Sequence, residues 1–320
     1  MAMTYRHIFG PVPSRRLGFS LGIDLVPLKT CNLNCIYCEC GRTTRQTADR
    51  REYVSLVEVR AELIHYLAGN PAPDYLTFSG SGEPLLHSGA GELLTWIKDS
   101  YPGIPLAILT NGTLFSNPEV RALVQRADLV LPSLDAATQE VFKKIDRPLP
   151  ALQIETIIEG LVSLRREYPG KIWLEVFIVP GLNDSETELA ALKRAILRIA
   201  PDRVQLNTLD RPGAVADIRA ATRSELERIA DIWQLPGIDM VARNPAGAKL
   251  DSARSERESA LLETIARRPC TLEDLSVILG WHINEVNKFL GVLEEQGKIQ
   301  SRRQGEMVFY EQKYPSENHD

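Results

Sequence analysis

What most constrains this chain is an alternation. Between about residues 23 and 212, short β-rich runs are followed by longer amphipathic stretches. The runs are Ile23–Leu28, Tyr75–Ser79, Leu106–Thr110, Leu129–Leu134, Ile172–Val179 and Arg203–Leu209. Helical periodicity marks Val54–Leu67, Glu92–Asp99, Pro118–Arg126, Ala151–Tyr168, Glu186–Ile199 and Ser224–Gln234. Strands alternating with helices predict an α/β fold: a mostly parallel sheet with helices packed outside it. Parallel strands are covered on both faces and read as unbroken apolar runs, as Leu129–Leu134 does. Six such units suit a full sheet or a partly closed barrel, and the pattern alone does not choose.

The alternation stops at Leu235–Asp251, which holds Pro236, Gly237, Pro245 and Gly247 and little periodicity, as a linker does. Beyond it, Arg254–Arg267 has helical spacing. Thr271, with Asp274 three residues on, opens a second helix through Leu279. Ile283–Gln296 sets Val286, Phe289, Leu290 and Leu293 on one face and stops at Gly297. Lys298–Arg303 and Met307–Gln312 read as a hairpin around Gln304-Gly305-Glu306. Three helices and a hairpin form the winged-helix pattern. The expected organisation is an α/β unit over residues 1–235, a linker over 236–253, a small winged-helix α+β domain over 254–314 and a disordered tail over 315–320.

With 320 residues, 44% hydrophobic and 25% charged, the composition is globular. No apolar run approaches the roughly 20 residues that span a bilayer, and the start lacks a secretory pattern, so no membrane partner is expected and the address is cytoplasmic. Thirty-seven Lys and Arg face 42 Asp and Glu, a net charge of −5, which gives no bulk reason for nucleic-acid binding. On the polar side of the third helix of the C-terminal unit, acids outnumber bases, and Arg302 and Arg303 supply its concentrated positive charge. DNA binding is therefore not expected of it. Contact with a protein or peptide suits it better, with RNA through the wing a lesser option.

Four of five cysteines, Cys31, Cys35, Cys38 and Cys40, fall within ten residues directly after the first strand; the fifth is Cys270. An odd, clustered set reads as metal binding or redox chemistry rather than a disulfide framework. In α/β proteins ligand sites collect at the C-terminal ends of parallel strands. Cys-x3-Cys-x2-Cys suits three thiolates that each bind one iron of a [4Fe–4S] cubane, leaving the fourth iron open. Structural zinc prefers two ligand pairs, and no second pair exists here. Cys40 is a candidate fourth ligand, and Cys270 has the ordinary role of a small buried residue.

This spacing, with Tyr37 just before the third cysteine, resembles the radical S-adenosylmethionine (SAM) superfamily. The resemblance covers about residues 20–212 and implies a partial (β/α)6 barrel. It also implies a [4Fe–4S] cluster on Cys31, Cys35 and Cys38 whose open iron chelates the amino and carboxylate groups of SAM. One electron then cleaves SAM to a 5′-deoxyadenosyl radical that abstracts hydrogen from a substrate. Phe78-Ser79-Gly80-Ser81-Gly82-Glu83-Pro84 is similar to the family's Gly-Gly-Glu-Pro segment, with Ser81 in place of one glycine; Gly80, Gly82 and Glu83 would meet the amino group of SAM. Asn111 on the third strand end, with Ser133 and Asp135 on the fourth, resembles positions that meet ribose or carboxylate. Val179, opening Val179-Pro180-Gly181-Leu182-Asn183-Asp184, resembles an adenine-proximal turn, and Tyr37 is grouped with these cofactor contacts.

The resemblance brings an external one-electron donor of flavodoxin or ferredoxin type as a partner. With only Cys40 and Cys270 left over, an auxiliary cluster is disfavoured. Arg15 and Arg16 before the first strand, and Arg211 after the sixth, are candidates for a carboxylate or phosphate, with a solvated loop pair as the alternative. His65 and His87 read as structural. The expected function is radical SAM oxidoreductase chemistry, first on a protein or peptide and then on a small metabolite or RNA base. The competing reading is a transcriptional regulator whose cluster senses oxygen or iron while the winged helix binds DNA.

Overall fold

The computed structural model describes residues 5–14, 16–210, 213–241, 252–305 and 307–313. Eight strands form the main sheet: β1 (Ile8–Ser14), β2 (Gly18–Ile23), β3 (Tyr75–Phe78), β4 (Leu106–Thr110), β5 (Leu129–Pro132), β6 (Lys171–Phe177), β7 (Arg203–Asn207) and β8 (Ile238–Met240). They lie in space in that order, and the sheet does not close on itself. β1 runs antiparallel to β2. From β2 to β8 every neighbouring pair is parallel.

Helices α1 (Leu56–Gly69), α2 (Ala90–Ser100), α3 (Pro118–Leu123), α4 (Gln139–Ile145), α5 (Ile154–Glu167), α6 (Glu186–Ile199) and α7 (Arg223–Trp233) return the chain between strands. α5 buries Ile154, Ile157, Ile158, Leu161 and Leu164, and α6 buries Leu189, Leu192, Ile196 and Ile199. Those are the i, i+3, i+4 and i+7 positions of one helical face. They join Leu106, Ile108, Val130 and Leu174 in the main core. Each such side chain contributes roughly 1.5–3 kcal/mol relative to exposure. The alternate strand residues Ala107, Leu129 and Leu131 pack with Leu17, Tyr75, Leu109 and Trp173 in a separate, smaller core on the opposite sheet face.

Three expectations change. The first parallel strand is Gly18–Ile23 rather than Ile23–Leu28. Asp24 leaves the sheet to accept from Ser81 N and Oγ at 3.1 and 2.8 Å, and Pro27 has no N–H for a ladder. The segment before it is not a loop. Ile8–Ser14 adds an antiparallel edge, where Pro11 and Pro13 are tolerated because an edge strand does not need every N–H. Ile238–Met240, inside the expected 236–253 linker, pairs with β7 as a seventh parallel strand. Residues 242–251, the rest of that segment apart from Ser252 and Ala253 at the start of the next helix, and the tail 315–320 lie outside the described residues, as do Arg15 and Arg211.

The C-terminal module holds α8 (Ser252–Arg267), β9 (Cys270–Thr271), α9 (Leu272–Leu279), α10 (Ile283–Glu295), β10 (Ile299–Gln304) and β11 (Met307–Gln312). Its strands form an antiparallel sheet in the order β9-β11-β10. Thr271 and Asp274 cap α9 reciprocally at 3.1 and 3.0 Å. Cys270 is buried in the module's own core with Leu261, Leu275, Val286 and Leu290.

The module is seated on the α/β unit, in part on its antiparallel edge strand β1. The His282 ring stacks on Phe9 with centroids 4.7 Å apart. His282 Nδ1 accepts from Asn284 N at 3.2 Å, which leaves Nε2–H to donate to Asp24 Oδ2, also at 3.2 Å. Arg303 donates to Gly213 O at 2.8 Å. Asn284, Glu285 and Asn287, the polar residues a DNA-reading helix would display, are buried.

Candidate active site

The cysteine loop leaves the C-terminal end of β2 and is clamped at its base. Thr30–Cys31 pairs in parallel with Arg45–Gln46. Thr47 N donates to Cys31 O at 2.9 Å, and Asn34 N and Ile36 N donate to Asp146 O and Ile145 O, both at 2.9 Å. Buried Leu33 and Ile36 anchor the loop in the main core. The sulfurs stand among polar neighbours. Asn111 Nδ2 and Leu33 N each lie 3.5 Å from Cys31 Sγ. Cys35 Sγ donates to Asp146 Oδ1 at 3.3 Å. Lys29 Nζ donates to Cys38 Sγ at 2.9 Å. Cys40 Sγ stands beside Cys38 and lies 3.4 Å from Asn284 Oδ1.

Burial pushes the Cys31 thiol up to about 12, and the nearby Glu83 carboxylate adds to the shift. Burial first and then Asp146 raise Cys35. Cys38 is held low by a hydrogen bond from Cys40, with Lys29 reinforcing it, and Cys40 is raised in return. Buried thiols raised in this way, as those of Cys31 and Cys35 are, keep their protons at neutral pH unless a cation replaces them, which is what a metal centre does. Among the described residues no three His, Cys, Asp or Glu groups converge as ligands of one ion do. A cubane asks for a different arrangement, one thiolate for each of three irons at separate corners. Three thiols on one clamped loop at the strand ends fit that donor set, with Cys31, Cys35 and Cys38 the residues to hold it.

The remaining expected residues assemble around this loop. Glu83 is 2% exposed and uses both oxygens: Oε1 accepts from Thr110 Oγ1 and Leu85 N at 2.8 and 3.0 Å, Oε2 from Asn111 N at 2.8 Å. Burial lifts its carboxyl to about 7 against these hydrogen bonds. Gly82 is needed for close approach, since a Cβ there would sit 2.0 Å from Thr30 O. A Cβ at Gly80 would meet the Asp24 carboxylate at 2.2 Å. Tyr37 stacks on Phe177 with centroids 4.1 Å apart and donates from its hydroxyl to Asp135 and, at 3.2 Å, to Asp146. Asp135 also accepts from Phe177 N at 2.6 Å, and burial raises it; burial likewise lifts Asp146 to about 7. Asn111, Ser133 and Asp135 line a cavity of about 20 Å³ with Leu33 and Asp146, room for about one water. Val179 donates from its N–H to Asn183 Oδ1 at 2.8 Å, and Asn183 Nδ2 ties Asp135 O to Phe177 O at 2.8 and 2.7 Å.

Sequence reasoning missed Lys29, Asp24, Asp146 and Asn32, whose Oδ1 accepts from Asn111 Nδ2 at 2.7 Å and whose Nδ2 donates to Thr113 Oγ1 at 2.6 Å. The partners of Asp24, Asp146 and Asn32 lie on other elements and that of Lys29 lies 9 residues on, so no local pattern marks them. Arg16 ion-pairs with Glu175 and donates to Gln205 Oε1 at 3.2 Å. It thus joins Trp173 and Gln205 on the wall of a cavity of about 780 Å³, within the range of ligand pockets. A second cavity of about 610 Å³ shares Leu209, Asp210 and Ala220 with it and is lined on the far side by Gln300, Ser301 and Arg303 of β10. His87 is fully buried, with Nε2 donating to Val54 O at 2.9 Å. His65 contacts Tyr5 Oη at 2.8 Å. Both are structural.

A parallel α/β scaffold with three thiols on one clamped loop at its strand ends defines an iron–sulfur enzyme. The Radical SAM superfamily profile matches residues 25–192, 168 of 320 residues, and the chain belongs to that superfamily. With the family come its two cofactors, a [4Fe–4S] cluster and SAM, and the use of an external electron donor. A UPF0026 protein of Helicobacter pylori strain J99 is 34% identical over 306 residues, 95% of this chain and 96% of that one. A Brachyspira hyodysenteriae protein called GTPase Obg is 35% identical over 295 residues; the match covers 92% of this chain but 43% of that longer protein. A radical SAM methyltransferase from Sphaerobacter thermophilus superposes with a TM-score of 0.53 at 19% identity, over 71% of this chain and 67% of the other, a likeness of fold. No helix among the described residues is long and apolar enough to cross a membrane.

Proposed function

We propose that this enzyme cleaves SAM reductively at a single [4Fe–4S] cluster and abstracts hydrogen from a protein or peptide segment. Cys31, Cys35 and Cys38 hold the cluster. When bound, it supplies the electron that splits SAM and frees a 5′-deoxyadenosyl radical. Gly80 and Gly82 are read as offering a backbone edge to the SAM amino group, and Asn111, Ser133 and Asp135 as residues that meet its ribose or carboxylate. Tyr37 and Val179 border the adenine side. The observation that carries this reading is the clamped loop, which presents Cys31, Cys35 and Cys38 at the strand ends.

The C-terminal module is read as winged-helix-like. Its β10 edge walls a cavity that shares Leu209, Asp210 and Ala220 with the larger one, which supports a chain-like substrate reaching the sheet from the module side. Burial of Asn284, Glu285 and Asn287 speaks against α10 entering a DNA groove. The electron donor is of flavodoxin or ferredoxin type. Anaerobic reconstitution tests the reading. About four irons per chain, a broad visible charge-transfer band and 5′-deoxyadenosine from SAM with dithionite are expected. Well-folded protein that takes up iron but forms no 5′-deoxyadenosine overturns it.

A further inference from the structure

Lys29, two residues before Cys31, is 5% exposed, a place where an ammonium group is rarely found without a partner. Its Nζ donates to Cys38 Sγ at 2.9 Å. The thiols of Cys38, Cys40 and Cys31 are the ionisable groups that act on it. Its backbone is held as closely. Lys29 N donates to Ser81 O at 2.9 Å, and Lys29 O accepts from Thr44 N and Arg45 N at 3.2 and 3.1 Å. Its φ is +58°, in the left-handed region that a residue with a side chain seldom occupies. Such a conformation persists only where surrounding bonds over-determine it. Here three hydrogen bonds, one from the glycine-rich segment and two from the loop's return, hold the backbone that directs one cation at one sulfur.

Hydrogen bonds to ligand sulfurs and nearby fixed charge are levers that set the potential of an iron–sulfur cluster. Reduction adds negative charge to the cluster. A buried cation favours the reduced form over the oxidised one, and poorly screened surroundings strengthen that preference. Resting on the cluster assignment above, we propose that Lys29 is a positioning residue that acts through Cys38 to raise the reduction potential of the cluster. It thereby makes the cluster easier for the external donor to reduce.

The test is a spectroscopically monitored redox titration of reconstituted full-length protein. Lys29→Met and Lys29→Gln remove the charge while keeping most of the reach, and Lys29→Arg retains it. The neutral variants are expected to lower the reduction equilibrium at least tenfold, 59 mV for a one-electron couple. Lys29→Arg is expected to stay within half that shift of wild type. An unchanged potential in iron-replete neutral variants overturns the proposal, as does an Arg variant displaced as far as Met. If both neutral variants lose iron at unchanged melting temperature, or fail to fold, Lys29 is a retention or folding residue instead. Wild-type protein that takes up no cluster sinks the underlying cluster assignment, a separate outcome.

Discussion

Two buried polar regions of this protein are built differently. At the strand ends, Glu83 satisfies three donors and Asn183 bridges two carbonyls. Where α10 is buried, Asn284 Nδ2 and Asn287 Oδ1 have no hydrogen-bond partner among the described residues. An unsatisfied buried polar group costs about 1–3 kcal/mol. The frame around the cysteines is therefore pre-organised by hydrogen bonds, while α10 is held by its apolar face in the module's own core and meets the main sheet through contacts such as the stack on Phe9 and the link to Asp24. A site that must hold a reactive centre needs the first kind of region.

Replacing the thiols tests the frame most severely. Cys31→Ala, Cys35→Ala or Cys38→Ala should lower bound iron to background and abolish 5′-deoxyadenosine formation, whereas Cys40→Ala should retain its iron, as read by iron analysis and turnover. Retention of the cluster by Cys38→Ala would show that Cys40 can replace it and would remove the distinction drawn between them.

Gly82→Ala comes next. Its Cβ would sit 2.0 Å from the Thr30 carbonyl, so backbone has to move; overpacking of this kind costs about 1–3 kcal/mol. Both the melting temperature and iron per chain should fall. A variant with wild-type values for both would mean that the frame is softer than its hydrogen bonds imply.

Glu83 gives the frame a pH signature. Its carboxyl, ordinarily near 4.5, is lifted to about 7 by burial. The folded state therefore holds the proton more tightly than the unfolded chain. Between pH 4.5 and 7 stability contributed by this group declines as pH rises, on the order of 3 kcal/mol across the window. Glu83→Gln should flatten that slope. At pH 5, where the wild-type carboxyl is itself neutral with a proton on one oxygen, the amide should differ from it by no more than about 1–3 kcal/mol, the cost of the acceptor capacity that the hydroxyl oxygen keeps and an NH2 group lacks. Denaturant unfolding at several pH values reads both effects, and parallel slopes for the two proteins would refute the assignment.

The smallest effect is expected where α10 meets the sheet. His282→Ala removes the stack on Phe9 and the donor to Asp24, worth about 1 kcal/mol. Hydrogen exchange should quicken over residues 283–293 while β4 keeps its protection. Equal loosening of both would mean that the module and the sheet unfold as one unit.

Much of the frame is legible along the chain, because its signals are local. Leu129–Leu134 reads as a buried strand from its own apolar run, and Thr271 with Asp274 announces a helix start by spacing alone. Cys31, Cys35 and Cys38 reveal a donor set because three thiols within eight residues can serve one cluster. Other elements are silent for a physical reason. Ile8–Ser14 holds two prolines and becomes a strand only because β2 offers an edge. Ile238–Met240 is three residues long, too short for periodicity, and is a strand only because β7 lies beside it.

By itself the sequence determined the α/β class, the cysteine loop and its family, since periodicity and spacing act over a few residues and survive in any conformation. Only the tertiary structure decided that Lys29 faces Cys38, that Asp146 meets Cys35 and Tyr37, and that α10 is buried instead of free. Those pairings join residues from 9 to more than 100 positions apart, and the approach of such groups is set by how the strands and helices pack.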